Sequence, residues 1–98
     1  MPLWIDFNCE VIFMAERINQ HRNPLVGSNI RRLRKERNLK AIDVIAKLQL
    51  MDISVNVGTF SKVEHGRNNP SVDMLIALTQ IYKCDFNEFF RMQPDDNL

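Results

Sequence analysis

The stretch TFSKVEHGRNNPS, residues 59–71, decides how this chain folds. Apolar residues at helical spacing lead into it, and Gly66 then supplies the residue type that commonly ends a helix. Arg, Asn and Pro residues follow as a loop, and Ser71 is a residue type that caps the start of a helix. The stretch therefore predicts a helix over about 57–65, a loop, and another helix over 72–82.

Helical spacing continues on the N-terminal side of this stretch. Ser28 is placed to cap a helix over about 29–37, and Asn38 follows it as a residue that tolerates the left-handed conformation of a helix end. A helix over about 41–48 comes next. After a connection that holds some apolar residues, Asn56 is expected to cap the helix that leads into the deciding stretch.

On the C-terminal side, Asp85 and Glu88 have the spacing of a capping box for a short helix over about 86–91. The chain is accordingly predicted to be all-α, with five short helices in one domain. The side chains expected to face the core from the last three helices are Val57, Phe60, Val63, Glu64, Val72, Leu75, Ile76, Thr79, Tyr82, Phe86, Phe89 and Phe90.

The N-terminal segment, residues 1–27, is set apart as an extension by a proline and a glycine near its end. Residues 3–14 fit both the alternation of a strand and the spacing of a helix. We predict a helix over about 9–21, after a short extended lead-in. The domain proper is expected to span residues 28–91, and residues 92–98 are expected to form a flexible tail.

Composition narrows the class of protein. The 98 residues, 45% of them hydrophobic, suit one small domain with a core, and no apolar run is long enough to span a membrane.

Cys9 and Cys84 lie too far apart for a disulfide framework, and His21 and His65 have no partner at metal-ligand spacing. We expect a cytoplasmic, nucleoid-associated protein with no metal, cofactor or membrane partner. No nucleophile or acid–base motif indicates an enzyme.

Positive charge is concentrated in the middle of the chain, although the net charge is only +1. Residues 28–70 carry nine basic and four acidic side chains, a net charge of +5, whereas residues 1–27 carry −1 and residues 71–98 carry −3. Such an asymmetry is typical of a surface that faces a polyanion. A solvated helix face explains the same charges equally well.

Three pieces of sequence together resemble one known family: IRRLR at 30–34, the deciding stretch 59–71, and Leu75 through Phe90. The family is the Cro and lambda-repressor-like helix-turn-helix family, also called the xenobiotic-response-element (XRE) type. The resemblance implies a five-helix lambda-repressor-like DNA-binding domain behind an N-terminal extension. It also implies a transcriptional regulator, expected to be a repressor, that places the helix at about 57–65 in the major groove of a specific double-stranded DNA site.

The resemblance assigns a site by position. Arg34 and Glu64 correspond to the buried ion pair that ties the first helix to the third, which is a structural role. Lys62 is the residue expected to donate to guanine O6 and N7. The residues implied to contact DNA bases or phosphates are Asn56, Val57, Thr59, Ser61, Lys62, Arg67, Asn68, Asn69, Arg31 and Lys40. For the hydroxyl and loop residues, an ordinary polar surface is the alternative.

The sequence departs from the family's pattern in and around the reading helix. Ala41 stands where a Gln usually contacts phosphate, and Ile45 where a small Ala usually lets two helices approach closely. The connection before the third helix is longer than the commonest form, as in a variant with a longer turn. Val57 and Gly58 occupy positions where polar residues commonly read bases, and Val57 can only pack on a thymine methyl group. Few side chains are therefore expected to contact base edges directly. Sequence specificity is expected to come from Lys62, from DNA shape or from the spacing of half-sites in a dimer.

Two functions stay open from the sequence. The first is a DNA-binding regulator that acts as a homodimer, with dimer contacts from the fifth helix, from residues 1–27, or from both. The alternative is a protein-interaction module, such as an antitoxin or a small adaptor, that keeps the fold but reads DNA weakly. Val57 and Gly58 favour the alternative, whereas Lys62 and the basic first helix oppose it.

Overall fold

A computed structural model describes residues 17–21 and 23–92 of the chain. Within those residues the fold is all-helical, as predicted, and the sole β-type pairing is an isolated bridge between Arg17 and Ser71. None of the helices described is long and apolar enough to cross a bilayer. The elements are α1 (Leu25–Glu36), α2 (Ala41–Leu50), α3 (Val57–Glu64), α4 (Val72–Tyr82) and a 3₁₀ helix (Phe86–Phe90).

The predicted helix caps at Asn56, Ser71 and Asn38 are confirmed. The Asn56 side chain accepts a hydrogen bond of 2.7 Å from the Thr59 amide, and the Ser71 hydroxyl accepts one of 3.1 Å from the Met74 amide. Asn38 has a φ of 55°, and the next amide, that of Leu39, donates back to the Arg34 carbonyl. Each cap satisfies backbone groups that a helix end leaves without partners, so α1, α3 and α4 end or begin where their sequences specify.

The core lies where the four α-helices and the 3₁₀ helix converge. Phe60 on α3, Tyr82 on α4 and Phe89 on the 3₁₀ helix are almost completely buried. The other buried apolar residues surround them and are Val26, Ile30, Leu33, Val44, Ile45, Leu48, Val55, Val63, Met74, Leu75, Ala77 and Leu78. Burial of these side chains supplies the main driving force for folding, and it fixes α3 against α1 and α2.

The first helix begins earlier than predicted. α1 starts at Leu25 after Pro24, and the Ser28 amide donates to the Pro24 carbonyl inside the helix, so Ser28 does not cap a helix over 29–37. Proline is pre-organised for a helix start and needs no amide partner there, which explains the earlier start. Gly27, taken from the sequence to mark the end of the N-terminal extension, is instead a buried residue of α1.

Some predicted core positions are wrong. Val57, Val72 and Ile76 are 53%, 42% and 41% exposed, and the buried stripe of α4 runs instead through residues such as Met74 and Leu78. Several apolar residues are adjacent in the α4 sequence, so more than one helical phase fits them, and packing against α2 selects the phase. At the C-terminal end, Phe86 and Phe90 are each 49% exposed while Phe89 is buried.

The predicted capping box before the fifth helix is also wrong. Asp85 makes no side-chain cap, and the element it precedes is a five-residue 3₁₀ helix rather than an α-helix. Glu88 pairs with Arg32 on α1 at 3.0 Å instead of folding back onto its own helix start. This long-range ion pair competes with the local cap. It could not be predicted from the spacing of neighbouring residues, because its two partners are far apart in the sequence.

The predicted helix over 9–21 lies mostly outside the described residues. Its described end, 17–21, is not helical and runs alongside the loop before α4. The Ile18 amide donates to the Pro70 carbonyl at 2.8 Å. Backbone groups that a helix would pair internally are thus paired with the loop. Most of the predicted tail, residues 93–98, also lies outside the described part of the chain.

Candidate nucleic-acid interface

Helices α2 and α3 are joined by a turn, residues 51–56, with a defined backbone conformation. Asp52 has a φ of 63°, and the Ile53 amide donates to the Leu48 carbonyl at 3.0 Å, which ends α2 in a left-handed turn. Val55 is buried and anchors the turn in the core before Asn56 caps α3. The longer connection is therefore built from a left-handed turn and a buried anchor residue, and it leads directly into the cap of α3.

A buried ion pair holds the C-terminal end of α3 against α1, as the sequence predicted. Arg34 Nε lies 2.7 Å from Glu64 Oε2, and Arg34 Nη2 lies 3.1 Å from Glu64 Oε1. Arg34 Nη1 also donates to the Leu39 carbonyl at 3.0 Å. The hydrogen bonds to Glu64 raise the pKa of the Arg34 guanidinium. Two parallel bonds fix both distance and orientation, so this pair sets the position of α3.

Helix α3 carries four of the ten predicted DNA-contacting residues. Val57, Ser61 and Lys62 are exposed, and Thr59 is half-buried. The Ser61 carbonyl lies 2.8 Å from Nδ1 of His65, which closes the end of the helix. A helix with a solvent-facing surface of this kind has the shape that fits a DNA major groove.

The cations of the chain fall into two groups. On α1, three arginines serve the fold: Arg34 binds Glu64, Arg32 binds Glu36 and Glu88, and Arg37 donates to main-chain carbonyls. A second group of exposed cations has no ion-pair partner among residues 17–21 and 23–92, and comprises Arg17, Arg31, Lys35, Lys40, Lys47, Lys62, Arg67 and Lys83. This second group includes every cation assigned to DNA from the sequence.

The loop after α3, residues 66–70, is tied down by hydrogen bonds. The Lys62 carbonyl accepts from the amides of Arg67, at 2.8 Å, and Asn68, at 3.2 Å. Asn69 Oδ1 accepts from the Gln20 amide at 2.9 Å, so this predicted DNA contact has an internal role as well. Arg67 is exposed, whereas Asn68 and Asn69 are half-buried. Thr59, Asn68 and Asn69 come together around one small cavity of about 120 Å³.

Not all of the predicted site residues are brought together. Asn56, Val57 and Thr59 line a groove of about 570 Å³ between α2 and α3. Arg31 lies on the exposed side of α1, and Lys40 lies at the start of α2. The wall of the groove opposite α3 includes Ile42, which is 63% exposed. The structure therefore separates a helix-and-groove surface from two flanking cations.

Sequence reasoning missed Gln20, which is 1% exposed and donates to the Val63 carbonyl of α3 and to the Asn68 carbonyl of the loop. It missed the exposure of Ile42 as well, because Ile42, Ile45 and Leu48 together fit the apolar period of a helix. No periodic pattern marks a single glutamine in an irregular segment, so the sequence offered no signal for Gln20. Ile42 is detectable only once the buried stripe of α2 is known to be Val44, Ile45 and Leu48.

Other reactive groups lie away from this surface. Burial raises the pKa of the Cys84 thiol, which is partly covered by the core, and raises the pKa of the Tyr82 phenol far above its usual range. Among the residues that the structure describes, no three His, Cys, Asp or Glu side chains lie close enough to hold a metal ion.

Comparisons with known proteins add no relative. No protein family matches the sequence, and neither a curated protein nor a solved structure is significantly similar to the chain.

Proposed function

We propose that this chain is a sequence-specific double-stranded DNA-binding regulator with an XRE-type, lambda-repressor-like domain. The observation that carries the proposal is the division of the cations: three α1 arginines stabilise the fold, while the exposed cations on and around α3 have no acidic partner in the described residues. Exposed cations without an acidic partner, on a helix and on the loop that follows it, provide the electrostatic surface that duplex phosphates require.

In this proposal α3 lies in the major groove, and its exposed side chains face the bases. Lys62 donates to guanine O6 and N7, and Val57 packs on a thymine methyl group. Asn56 uses its Oδ1 to cap α3 and therefore offers its amide NH₂ group to a phosphate or a base edge. Ser61 and Thr59 are within the same surface and donate from their hydroxyls.

The flanking residues bind the DNA backbone in this proposal. Arg31, Lys40 and Arg67 are exposed and bind phosphates on either side of α3, and Asn68 and Asn69 approach the backbone from the loop. Because phosphate contacts carry no sequence information, they set register and affinity, whereas Lys62 and Val57 set sequence preference.

We also propose that the active form is a homodimer that represses by occluding a promoter. Three large apolar side chains, Phe86, Phe90 and Met92, are 49%, 49% and 68% exposed near the end of the described chain. A second copy that covers them would remove apolar surface from water and double the number of phosphate contacts. Its two reading helices would then meet half-sites about 34 Å apart, or a multiple of that distance.

One observation favours the alternative of a protein-interaction module. The groove between α2 and α3 is bordered by Ile42 and Val57, and both are more than half exposed. Exposed apolar side chains beside a groove are typical of a surface that binds another protein. An antitoxin or adaptor with this fold would use that surface and would not retain duplex DNA.

The salt dependence of duplex binding tests the proposal. Binding is measured by fluorescence anisotropy on mixed-sequence duplexes at several salt concentrations. A DNA-binding protein loses affinity steeply as the salt concentration rises. The logarithm of its association constant falls linearly with the logarithm of the salt concentration, with a slope of about −0.9 per phosphate contact. An adaptor binds no duplex at any salt concentration, which is the result that would refute the proposal.

Two lysine variants sharpen this test. Lys62→Ala is compared with Lys83→Ala, which removes the same charge from an exposed lysine in the acidic C-terminal segment. We expect Lys62→Ala to cost about 1–3 kcal/mol on a preferred site and to relax specificity there. Lys83→Ala is expected to bind like the unmodified chain. If Lys62→Ala instead lowered the affinity equally for every duplex sequence, Lys62 would contact a phosphate and not a base.

A further inference from the structure

A short segment ahead of α1, residues 17–21, runs antiparallel to the loop that follows α3. Arg17 forms a bridge with Ser71, the Ile18 amide donates to the Pro70 carbonyl at 2.8 Å, and the Gln20 amide donates to Asn69 Oδ1 at 2.9 Å. We call residues 17–21 the strap. The strap is therefore bonded along the loop that carries Arg67.

The side chain of Gln20 joins three separate parts of the fold. Its Nε2 donates to the Val63 carbonyl near the end of α3, at 2.9 Å, and to the Asn68 carbonyl in the loop, at 2.8 Å. Its Oε1 accepts from the Gly27 amide in the first turn of α1, at 2.7 Å. Both protons of the amide group and its oxygen are used, which fixes the orientation of the side chain.

The packing around this amide leaves no room for adjustment. A Cβ atom at Gly27 would lie 2.1 Å from the Val63 carbonyl oxygen and 2.9 Å from Gln20 Oε1. Because Gly27 has no Cβ, α1 approaches α3 closely enough for one side chain to reach both helices and the loop. The Val63 carbonyl also accepts from the Gly66 amide at 3.1 Å, so Gln20 supplies its second donor, and Gln20 supplies the Asn68 carbonyl with a donor from outside the loop.

We propose that Gln20 is a positioning residue that holds the loop 66–70 in one conformation against α3, and so sets how Arg67 and Asn68 meet a nucleic-acid backbone. The first half of this proposal, that Gln20 holds the loop, concerns the fold alone. The second half, that Gln20 thereby sets how the loop meets a nucleic-acid backbone, rests on the proposed function. Loss of the Gln20 amide leaves the Val63 and Asn68 carbonyls and the Gly27 amide without these partners, so the loop opens before the core does.

Amide hydrogen exchange measured by NMR tests the first half without DNA. Gln20→Ala and Gln20→Met are compared with the control Asn19→Ala, an exposed neighbour whose Oδ1 accepts a hydrogen bond from the amide of His21, two residues along the chain. The amides of Arg67 and Asn68 report on the loop, and the slowest amides of α4 report on global unfolding. Gln20→Met keeps the volume of the side chain, so it separates lost bonds from lost packing.

We expect both Gln20 variants to speed exchange in the loop by about 10-fold more than in α4, and Asn19→Ala to change neither. An equal rise in the exchange rates of the loop and of α4, or no rise in the exchange rates of the loop, would overturn the proposal. Failure of both Gln20 variants to fold would also overturn it, because Gln20 would then hold the whole fold rather than the loop.

Duplex binding by Gln20→Met tests the second half at a temperature where the variant is folded. We expect affinity to fall about 10-fold and the slope of log K against log salt concentration to become shallower by about 0.9, which corresponds to the one phosphate contact that Arg67, the cation of this loop, would lose. Adding Arg67→Ala is expected to change the slope little further. Unchanged affinity and slope in a variant with a loosened loop would overturn the positioning role. If the unmodified chain binds no duplex, the proposed function fails, and the exchange measurement alone decides what Gln20 does.

Discussion

Arg34→Ala should destabilise the domain severely, because it strands a buried carboxylate. The Glu64 side chain is only 4% exposed, and both of its oxygens are bonded to Arg34, at 2.7 and 3.1 Å. Removing one partner of a buried ion pair typically costs about 3–5 kcal/mol. A small domain has a free energy of unfolding of about 5–15 kcal/mol, so the variant loses about a fifth of its stability or more.

Urea unfolding followed by circular dichroism measures this loss. Two variants serve as controls. Arg31→Ala removes an exposed arginine from the same helix and is expected to change stability by less than about 0.5 kcal/mol. Arg34→Met combined with Glu64→Met replaces the pair by apolar side chains, and it is expected to recover most of the loss because no buried charge remains.

The reasoning would be refuted by a free energy of unfolding for Arg34→Ala within about 1 kcal/mol of the unmodified chain. A value of that size is typical of a solvent-exposed pair. It would also be refuted if the double variant were as unstable as Arg34→Ala, since packing rather than an unpaired charge would then explain the loss.

Further predictions concern buried groups. Gly27→Ala should cost about 1–3 kcal/mol in urea unfolding, because its Cβ meets the Val63 carbonyl; a neutral result would contradict the close approach of α1 to α3. Burial raises the pKa of Tyr82, the sole tyrosine, so tyrosinate absorbance should appear only with unfolding; stability should fall above about pH 10, and Tyr82→Phe should remove that fall. In a Cys9→Ser background, Cys84 should be alkylated more slowly at about pH 8 than a free thiol, because burial raises its pKa; equal rates would contradict this.

The sign of the Tyr82 effect follows from which state holds the proton. The phenol is neutral in the fold, and its oxygen is buried without a hydrogen-bond partner in the described part of the chain. The unfolded chain releases that proton near pH 10, so stability from the neutral phenol is present below that pH and lost above it. The same missing partner means that Tyr82→Phe should cost little stability at neutral pH.

Features set by a few neighbouring residues were predictable from the sequence. The caps at Asn56, Ser71 and Asn38 depend on contacts within four residues, and all three form. Helix α4 was predicted with both of its ends. The ion pair between Arg34 and Glu64 spans 30 positions, and it was predicted through the family resemblance rather than from local spacing.

Features set by tertiary contacts were not predictable. The phase of α4 depends on what α2 presents to it, so Val72 and Ile76 were assigned inward and are partly exposed. Glu88 bonds to Arg32, which lies 56 positions away, and no local cap rule contains that contact. The strap is the largest omission, because an irregular segment has no period, and its pairing with the loop appears only in three dimensions.

In the candidate site, too, some features were predictable from the sequence and others depend on tertiary contacts. Sequence position identified the exposed residues of α3, yet it did not reveal which cations were already committed to the fold. Arg32 and Arg37 looked equivalent to Arg31 and Lys35 in a basic helix, and the structure separates them by their bonds to Glu88 and to main-chain carbonyls. Asn69 was assigned to DNA, and its side chain also fastens the strap.

Selection from a pool of random duplexes at near-physiological salt tests the central claim most directly. The full chain is used to capture duplexes, and the retained DNA is sequenced. The proposed regulator predicts an enriched inverted repeat, with half-sites separated by about one helical turn, roughly 34 Å, or a multiple of it. A chain that retains no duplex at all would contradict the account and would leave the groove between Ile42 and Val57 as a surface for a protein partner.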